Sequence, residues 1–512
     1  MHPRVFTIAA DRPFLATLAR GLVAMAGGDP LRLARMTVLL PTRRAARSLR
    51  EAFLRLTGEG SDPGAPLLLP RMRPIGDLDA DELEFGAGDE TLTIPPAIPE
   101  LRRRLLLTRL VMEWSEGHDD PPLPPGQAAA LAGALARLID AAAIEGASFA
   151  DLAKLAPLDL AEHWQVVLRF LDILPTQWPK VLDAEGGLDA AERRKQLLLR
   201  QAAEWRRAPP AAPVIAAGLT GGIPALNELI GVVAGLEQGT VILPGLDRNA
   251  APGTWLAIAE DPAHPQYLLA GLLHALDVTA DDVRDWEFAA PAGREARLRL
   301  VSQALLPAHL THAWRDLRPE PDGALAGLGR YDCPSPQDEA MTIALLLRRK
   351  LETPGATASL VTPDRELARR VAAELRRWGI DIDDSAGLPL SLTPPGAFLR
   401  LVLEMAESEL APVPLLAALK HPLAAGGLAA AEFRDLARQL ERAIRGPRPA
   451  PGVAGLRNAL GKERELLRFV DRLENCLGEL PRLLADDEAS IAELATAHIA
   501  AAERLAASDT ES

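Results

Sequence analysis

Five short apolar runs, each leading into a helical pattern, constrain the fold of this chain most strongly. Each run has four or five residues and is followed by apolar residues at positions i, i+3, i+4 and i+7. Short strands that alternate with helices are typical of a parallel sheet in an α/β protein, and the chain is helix-rich outside these runs. The predicted strands are Val5–Ala9, Thr37–Leu40, Val214–Ala217, Thr240–Leu243 and Ser359–Thr362.

The arrangement along the chain predicts more than one domain. The 512 residues suffice for two to four domains, because domains usually contain about 100–200 residues. Between Pro95 and Pro210 there is no strand pattern, and the apolar spacing predicts a helical insertion bounded by proline-rich turns. After about Ala411 the pattern is helical again.

A strand–turn–helix sequence occurs twice in the chain. Residues 359–379 align with residues 37–58, about 320 positions earlier, so that Pro363 matches Pro41. The arginine two positions after the proline also matches. This repeat predicts a duplicated α/β lobe, each copy with its own helical insertion.

Composition restricts the possible partners and compartments. The net charge is -14, so any contact with nucleic acid has to come from local basic surface. Two cysteines, Cys333 and Cys476, cannot form a four-thiolate cluster and are compatible with a reducing cytoplasm. The N-terminus lacks a signal-peptide pattern and no apolar run has the length of a membrane span, so we expect a cytoplasmic protein without a membrane partner.

The helix start after the second predicted strand is rich in arginine. Thr42, Arg43 and Arg44 lie at this helix start, and Arg47 follows one turn later. The N-terminus of a helix attracts anions, and these side chains together could bind a phosphate group. The alternative interpretation is a basic face that is only solvated.

Common catalytic motifs do not occur in the sequence. A phosphate-binding P-loop needs G-x-x-x-x-G-K-[ST], and none of the six lysines fits this pattern. Two-metal nucleases carry an aspartate or glutamate two residues before a lysine, and no lysine in this sequence has one at that position. There is also neither an HExxH motif nor a G-x-S-x-G motif. We therefore expect no cofactor, no metal site and no intact catalytic site in this chain.

Several segments together resemble the AddB subunits of AddAB helicase–nucleases, which act in double-strand break repair. They occur in order between about residue 5 and residue 425: FLATLARGL, MTVLLPTRRAARSLREAFL, LLLPRMRPIGDLD, EHWQVVLRFLDIL, PVIAAGLTGGIPALNELI, GTVILPGLD, DPAHPQYLL, SLVTPDRELARRVAAELRRWGIDIDDSAGLPLSLTPPGAFLRL and APVPLLAALKHPL. The resemblance implies two RecA-like lobes of superfamily 1 type, each with a helical insertion. It also implies a partner of the AddA type, which carries the motor, and single-stranded and duplex-end DNA as ligands.

The resemblance implies specific DNA contacts. The place where helicases contact the strand backbone is taken in the first lobe by Pro41, Thr42, Arg43 and Arg44, and in the second by Thr362, Pro363, Asp364 and Arg365. Arg47, on the same helix as Arg43, is a candidate as well. Thr220 is a further candidate. Both nucleotide motifs are degenerate, since Ala217 and Gly218 stand where a helicase carries an acidic pair, which implies a non-hydrolysing subunit.

The expected domain boundaries follow from the patterns and the resemblance together. We expect a first lobe at 1–94 and 206–322, its insertion at 95–205, the start of a second lobe at 323–410, and a truncated second insertion at 411–512. Members of the family are about twice this long and end in a nuclease domain, which is expected to be absent here. Two other functions remain open: an α/β enzyme that binds a small molecule or nucleotide without a P-loop, and a helical interaction scaffold.

Overall fold

A computed structural model describes residues 3–27, 29–58, 68–75, 94–118, 121–149, 162–288, 294–317 and 323–510. The chain divides into two compact units, Met1–Gly329 and Arg330–Ser512. Both units are rich in helices, and the sheet of the described residues lies in the first unit.

The first unit is built on a six-stranded sheet. Its strands are β1 (Val5–Ile8), β2 (Thr37–Leu40), β3 (Arg71–Pro74), β4 (Val214–Ala217), β5 (Gly239–Pro244) and β6 (Arg284–Asp285). They are ordered β3-β2-β4-β5-β1-β6, and every neighbouring pair is parallel. The carboxyl ends of all six strands therefore meet at one edge of the sheet.

Helices of the first unit connect these strands. They are α1 (Phe14–Ala26), α2 (Pro30–Arg35), α3 (Arg43–Gly58), α4 (Glu100–His118), α5 (Pro125–Glu145), α6 (Glu162–Leu171), α7 (Ile173–Thr176), α8 (Trp178–Glu185), α9 (Ala190–Arg207), α10 (Pro224–Gly235), α11 (Pro252–Ala259), α12 (Tyr267–Ala275) and α13 (Glu295–Ala304). The described residues between β3 and β4 form helices α4 to α9.

Alternation along the strands divides the core into two layers. In β2, Val38 and Leu40 pack with α1 and α3, whereas Leu39 packs with α9 and α10 on the opposite face. Successive side chains of a strand point to opposite faces, so apolar residues at every position require helices on both sides. The sheet is thus the middle layer of a three-layer α/β unit.

The sequence predicted most of this sheet but not its edges. Four of the five predicted strands form, as β1, β2, β4 and β5. The edge strands β3 and β6 were not predicted, because β3 carries two arginines and β6 has only two residues. The prediction of a strand at Ser359–Thr362 is wrong for this structure, since these residues pair with no neighbouring strand.

A buried ion network holds the helices between β3 and β4 together. The side chain of Arg103 in α4 is 2% exposed. Its guanidinium contacts Asp189 Oδ1 at 2.6 Å and Asp140 Oδ1 at 2.9 Å, and it donates to the carbonyl oxygen of Ala136 at 3.2 Å. Trp178 Nε1 donates to the other oxygen of Asp189 at 2.9 Å. Arg103 therefore connects α4 to α5 and to the residue that precedes α9.

Helix α5 is long and apolar enough to cross a membrane by length and composition, in contrast to the sequence-based expectation. It packs against α4 through Ala132, Leu135 and Ile139, and its Asp140 pairs with Arg103. A single helix of this kind is equally typical of the core of a soluble protein.

In the second unit the described residues form helices joined by loops, with one isolated β-bridge between Leu428 and Ser508. Its helices are α14 (Pro336–Leu351), α15 (Arg365–Arg376), α16 (Pro394–Glu407), α17 (Pro412–Leu419), α18 (Ala430–Ala443), α19 (Gly452–Leu460), α20 (Arg464–Leu477), α21 (Leu480–Leu484) and α22 (Ile491–Ala506). Helices α16 to α22 share one large core, and α14 and α15 share a smaller one around Ala344 and Val371.

Candidate nucleic-acid interface

The carboxyl ends of β2 and β4 form a crevice at the edge of the sheet. The two strands are hydrogen-bonded neighbours, but the chain leaves β2 toward α3 on one face and β4 toward α10 on the other. Ligands of open α/β sheets bind at such points, where the two connections diverge. Four predicted contact residues follow these two strand ends, namely Thr42, Arg43 and Arg44 after β2 and Thr220 after β4, and Arg47 lies one turn further along α3.

Thr42 starts the arginine-rich helix α3. Its hydroxyl accepts a hydrogen bond from the backbone N–H of Ala45 at 3.0 Å, which makes it the N-cap. The side chains of Arg43, Arg44 and Arg47 are exposed, whereas Leu49 and Phe53 on the other side of the helix are fully buried. The capped helix start thus presents three positive side chains at the positive end of the helix dipole, an arrangement that attracts anions.

The turn after β4 faces this helix start. Gly218 has a φ of 73°, and a Cβ atom on it would lie 3.3 Å from the ring of Phe14 and 3.7 Å from Pro41. Thr220, two residues on, is exposed. Gly221 has a φ of 81°, and a Cβ atom there would lie 2.8 Å from Asn227 Oδ1. The turn therefore needs glycine at both positions to approach Pro41 while leaving Thr220 at the surface.

The turn after β1 differs from a phosphate-binding loop. Arg12 Nε lies 3.3 Å from Asp11 Oδ1, and the two side chains are only 11% and 6% exposed, respectively. Helix α1 follows with Pro13 at its N-cap and no side-chain cap. A nearly buried carboxylate and its arginine thus stand where a P-loop would supply glycine N–H groups and a lysine.

The second unit repeats the helix start but uses its arginine differently. Asp364 caps α15 by accepting from the backbone N–H groups of Glu366 and Leu367, and Thr362 Oγ1 accepts from the N–H of Asp364. Arg365, the first residue of α15, makes a two-pronged ion pair with Asp384, with N–O distances of 3.0 and 2.5 Å. Hydrogen bonding to Asp384 raises the pKa of Arg365.

The repeat predicted from sequence is therefore present in the local structure of the two helix starts. Pro41 and Pro363 each precede an N-cap residue, and Leu49 and Phe53 of α3 correspond to the buried Val371 and Leu375 of α15. Asp384, in the loop that follows α15, binds Arg365 through its carboxylate. Among the described residues there is no group of three or more His, Cys, Asp or Glu side chains that could hold a metal ion.

Two further basic residues belong to the surroundings of the crevice and were not among the predicted contacts. Arg50 lies one turn beyond Arg47 on the same exposed face of α3. Arg73 lies on β3 beside Leu39 of β2 and is half-buried. The spacing of Arg43, Arg47 and Arg50 along one helix is the signal that predicts Arg50, whereas Arg73 could be placed only once β3 was known.

Replacing Thr42 by alanine tests the capping role. We expect a loss of about 1 kcal/mol in the free energy of unfolding of the first unit, because the N–H of Ala45 loses its acceptor. The matched control is Thr220→Ala in the same crevice, where the exposed hydroxyl caps no helix and the expected change is within about 0.5 kcal/mol. Urea unfolding followed by tryptophan fluorescence measures both. Equal losses in the two variants would contradict the capping role.

Comparison with protein-family models gives no match, and comparison with curated proteins gives none either.

Proposed function

We propose that this protein is a non-hydrolysing, helicase-like subunit that binds single-stranded DNA in an end-resection helicase–nuclease. The observation that carries the proposal is the crevice between β2 and β4, where Thr42 caps a helix whose first turns present Arg43, Arg44 and Arg47 to solvent. Backbone N–H groups and arginines at a helix start are the groups that proteins use to contact strand phosphates.

The remaining parts of the proposal depend on the resemblance to AddB subunits. The protein would act in double-strand break repair by recombination, in the cytoplasm, with an AddA-type subunit as the motor. The two units would each derive from a RecA-like lobe, and the repeated helix starts at Arg43 and Arg365 support this duplication. The Asp11–Arg12 pair after β1 supports a subunit that leaves ATP hydrolysis to its partner.

Reversing the charges of Arg43 and Arg44 together tests DNA binding. We expect the R43E/R44E variant to bind a fluorescent single-stranded oligonucleotide at least about tenfold more weakly at low salt. Each phosphate contact to a single strand contributes about 0.7 to the slope of log affinity against log salt, so this slope should fall by roughly 1.4. Fluorescence anisotropy over a range of salt concentrations gives both quantities.

The matched control reverses two exposed arginines of the second unit, Arg434 and Arg438 of α18, and so changes the net charge equally. We expect its affinity to stay within about twofold of the unmodified protein, because neither arginine belongs to the helix start at which the proposal places the DNA strand. Equal losses in both variants would reveal a nonspecific effect of net charge. If the unmodified protein does not bind the oligonucleotide at low salt, the proposed function is overturned.

A further inference from the structure

The first arginine of α15 already holds an anion that belongs to the chain itself. The two terminal nitrogens of Arg365 bind the two carboxylate oxygens of Asp384 at 3.0 and 2.5 Å. One of these nitrogens also donates to the carbonyl oxygen of Gly387 at 3.1 Å. Arginine binds a carboxylate and a phosphate with the same pair of parallel N–H groups. Asp384 therefore occupies the donors with which Arg365 would bind a phosphate from outside.

The rest of this helix start is also more acidic than its counterpart in the first unit. The carboxylate of Asp364 accepts from the backbone N–H groups of Glu366 and Leu367, whereas the cap of α3 is the neutral Thr42. Glu366 stands where α3 carries Arg44. The start of α15 thus carries two carboxylates in place of a hydroxyl and an arginine, so its affinity for a phosphate depends on Arg365 more than that of α3 depends on Arg43.

The pair between Arg365 and Asp384 can open without disturbing the core. Their side chains are 45% and 35% exposed, and every residue from 381 to 392 is exposed. Exposed ion pairs contribute little to stability, because water hydrates both partners when the pair is broken. The apolar contacts between α14 and α15, around Ala344 and Val371, do not involve Asp384. A phosphate that arrives at Arg365 can therefore replace Asp384 at low cost.

We propose that Asp384 is an autoinhibitory group, which keeps Arg365 from binding a phosphate of the DNA strand until the strand displaces it. This inference rests on the proposed function, because it assumes that the chain binds single-stranded DNA. The carboxylate and the phosphate compete for the same two N–H groups. The fraction of molecules in which Arg365 is open limits the apparent affinity, so the ion pair weakens the binding of the strand.

Replacing Asp384 by asparagine tests the competition. Asparagine keeps the side-chain oxygen that accepts from the N–H of Ala386 at 3.0 Å, so the turn of the loop is retained. It removes the charge and one of the two oxygens that bind Arg365. We expect Asp384→Asn to bind a fluorescent single-stranded oligonucleotide about threefold to fivefold more tightly at low salt, as measured by fluorescence anisotropy on the full chain.

Two matched variants separate release of Arg365 from a general effect of charge. Asp381→Asn changes the net charge equally in the same loop, and Asp381 is exposed but does not bond to Arg365. Its affinity for the oligonucleotide should stay close to that of the unmodified protein. The double variant R365Q/D384N should bind no more tightly than R365Q alone, because the gain requires the arginine that Asp384 releases.

The outcomes distinguish this inference from the proposed function. If the unmodified protein binds the oligonucleotide and R43E/R44E weakens that binding, the proposed function stands. The autoinhibition is then overturned if Asp384→Asn gives no gain, if Asp381→Asn gives an equal gain, or if the gain persists with glutamine at position 365. If neither the unmodified protein nor Asp384→Asn binds the oligonucleotide at low salt, the proposed function and the autoinhibition are both overturned.

Discussion

Replacing Arg103 by methionine is expected to lower the free energy of unfolding of the first unit by about 3–5 kcal/mol, because the change leaves a buried carboxylate without its partner. Asp189 is 4% exposed, and Arg103 Nε lies 2.6 Å from it. Methionine fills a similar volume but supplies no charge and no hydrogen-bond donor. Seven of the eight tryptophans lie in the first unit, so urea unfolding followed by fluorescence reports mainly on that unit.

The neighbouring arginine provides the control for this prediction. Arg102 also pairs with a carboxylate, that of Glu185, but its side chain is 60% exposed. Exposed ion pairs contribute little to stability, so Arg102→Met should be nearly neutral. Similar losses in the two variants would show that burial does not determine how much the Arg103 network contributes to the free energy of unfolding.

Lowering the pH is expected to reduce the loss of unfolding free energy that Arg103→Met causes. Burial raises the pKa of Asp189 and outweighs the opposing charge of Arg103 and the hydrogen bond from Trp178. A carboxyl group whose pKa is raised by folding destabilises the folded state above that pKa, and this penalty disappears as the pH falls through it toward the unfolded value of about 3.9. Without Arg103 the penalty is larger, so the difference in the free energy of unfolding between variant and unmodified protein should narrow as the pH falls from neutral toward this unfolded value.

The position of Arg103 on its helix shows which signals the sequence contained. Arg103 lies four residues before Leu107 and eight before Val111, and both leucine and valine are fully buried. The arginine thus occupies the apolar stripe of α4, where a charged residue indicates a buried partner. The identity of that partner could not be predicted, because Asp140 and Asp189 reach Arg103 only through the packing of other helices.

Local patterns predicted the inner strands and helix starts, whereas pairing depended on tertiary structure. The run at Ser359–Thr362 is as strand-like as β2, yet only β2 has neighbours to pair with. A strand is defined by its ladder, which the sequence of one segment does not contain. In the same way, Thr42 as a helix cap follows from the local sequence, but the pair between Arg365 and Asp384 spans 19 residues and a loop.

Replacing Phe53 by alanine is expected to have the other large effect. Phe53 is fully buried and packs α3 against the sheet face formed by Val38, Leu40 and Ile215. Truncation of a buried phenylalanine removes its apolar contacts and leaves a cavity, which costs about 3–5 kcal/mol. Since α3 presents Arg43, Arg44 and Arg47, the same change should also weaken the proposed DNA binding by loosening the helix start.

The control for Phe53 is the next residue on the same helix. Leu54 is 67% exposed, so Leu54→Ala should change the free energy of unfolding by no more than about 0.5 kcal/mol. The loss of unfolding free energy in Phe53→Ala should be the same at about pH 7 and about pH 5, because no titrating group is involved. The loss in Arg103→Met, in contrast, should depend on pH. A small effect of Phe53→Ala would mean that contacts at the two ends of α3, rather than its buried apolar residues, hold the helix against the sheet. In that case the helix start could not serve as a rigid support for a bound strand.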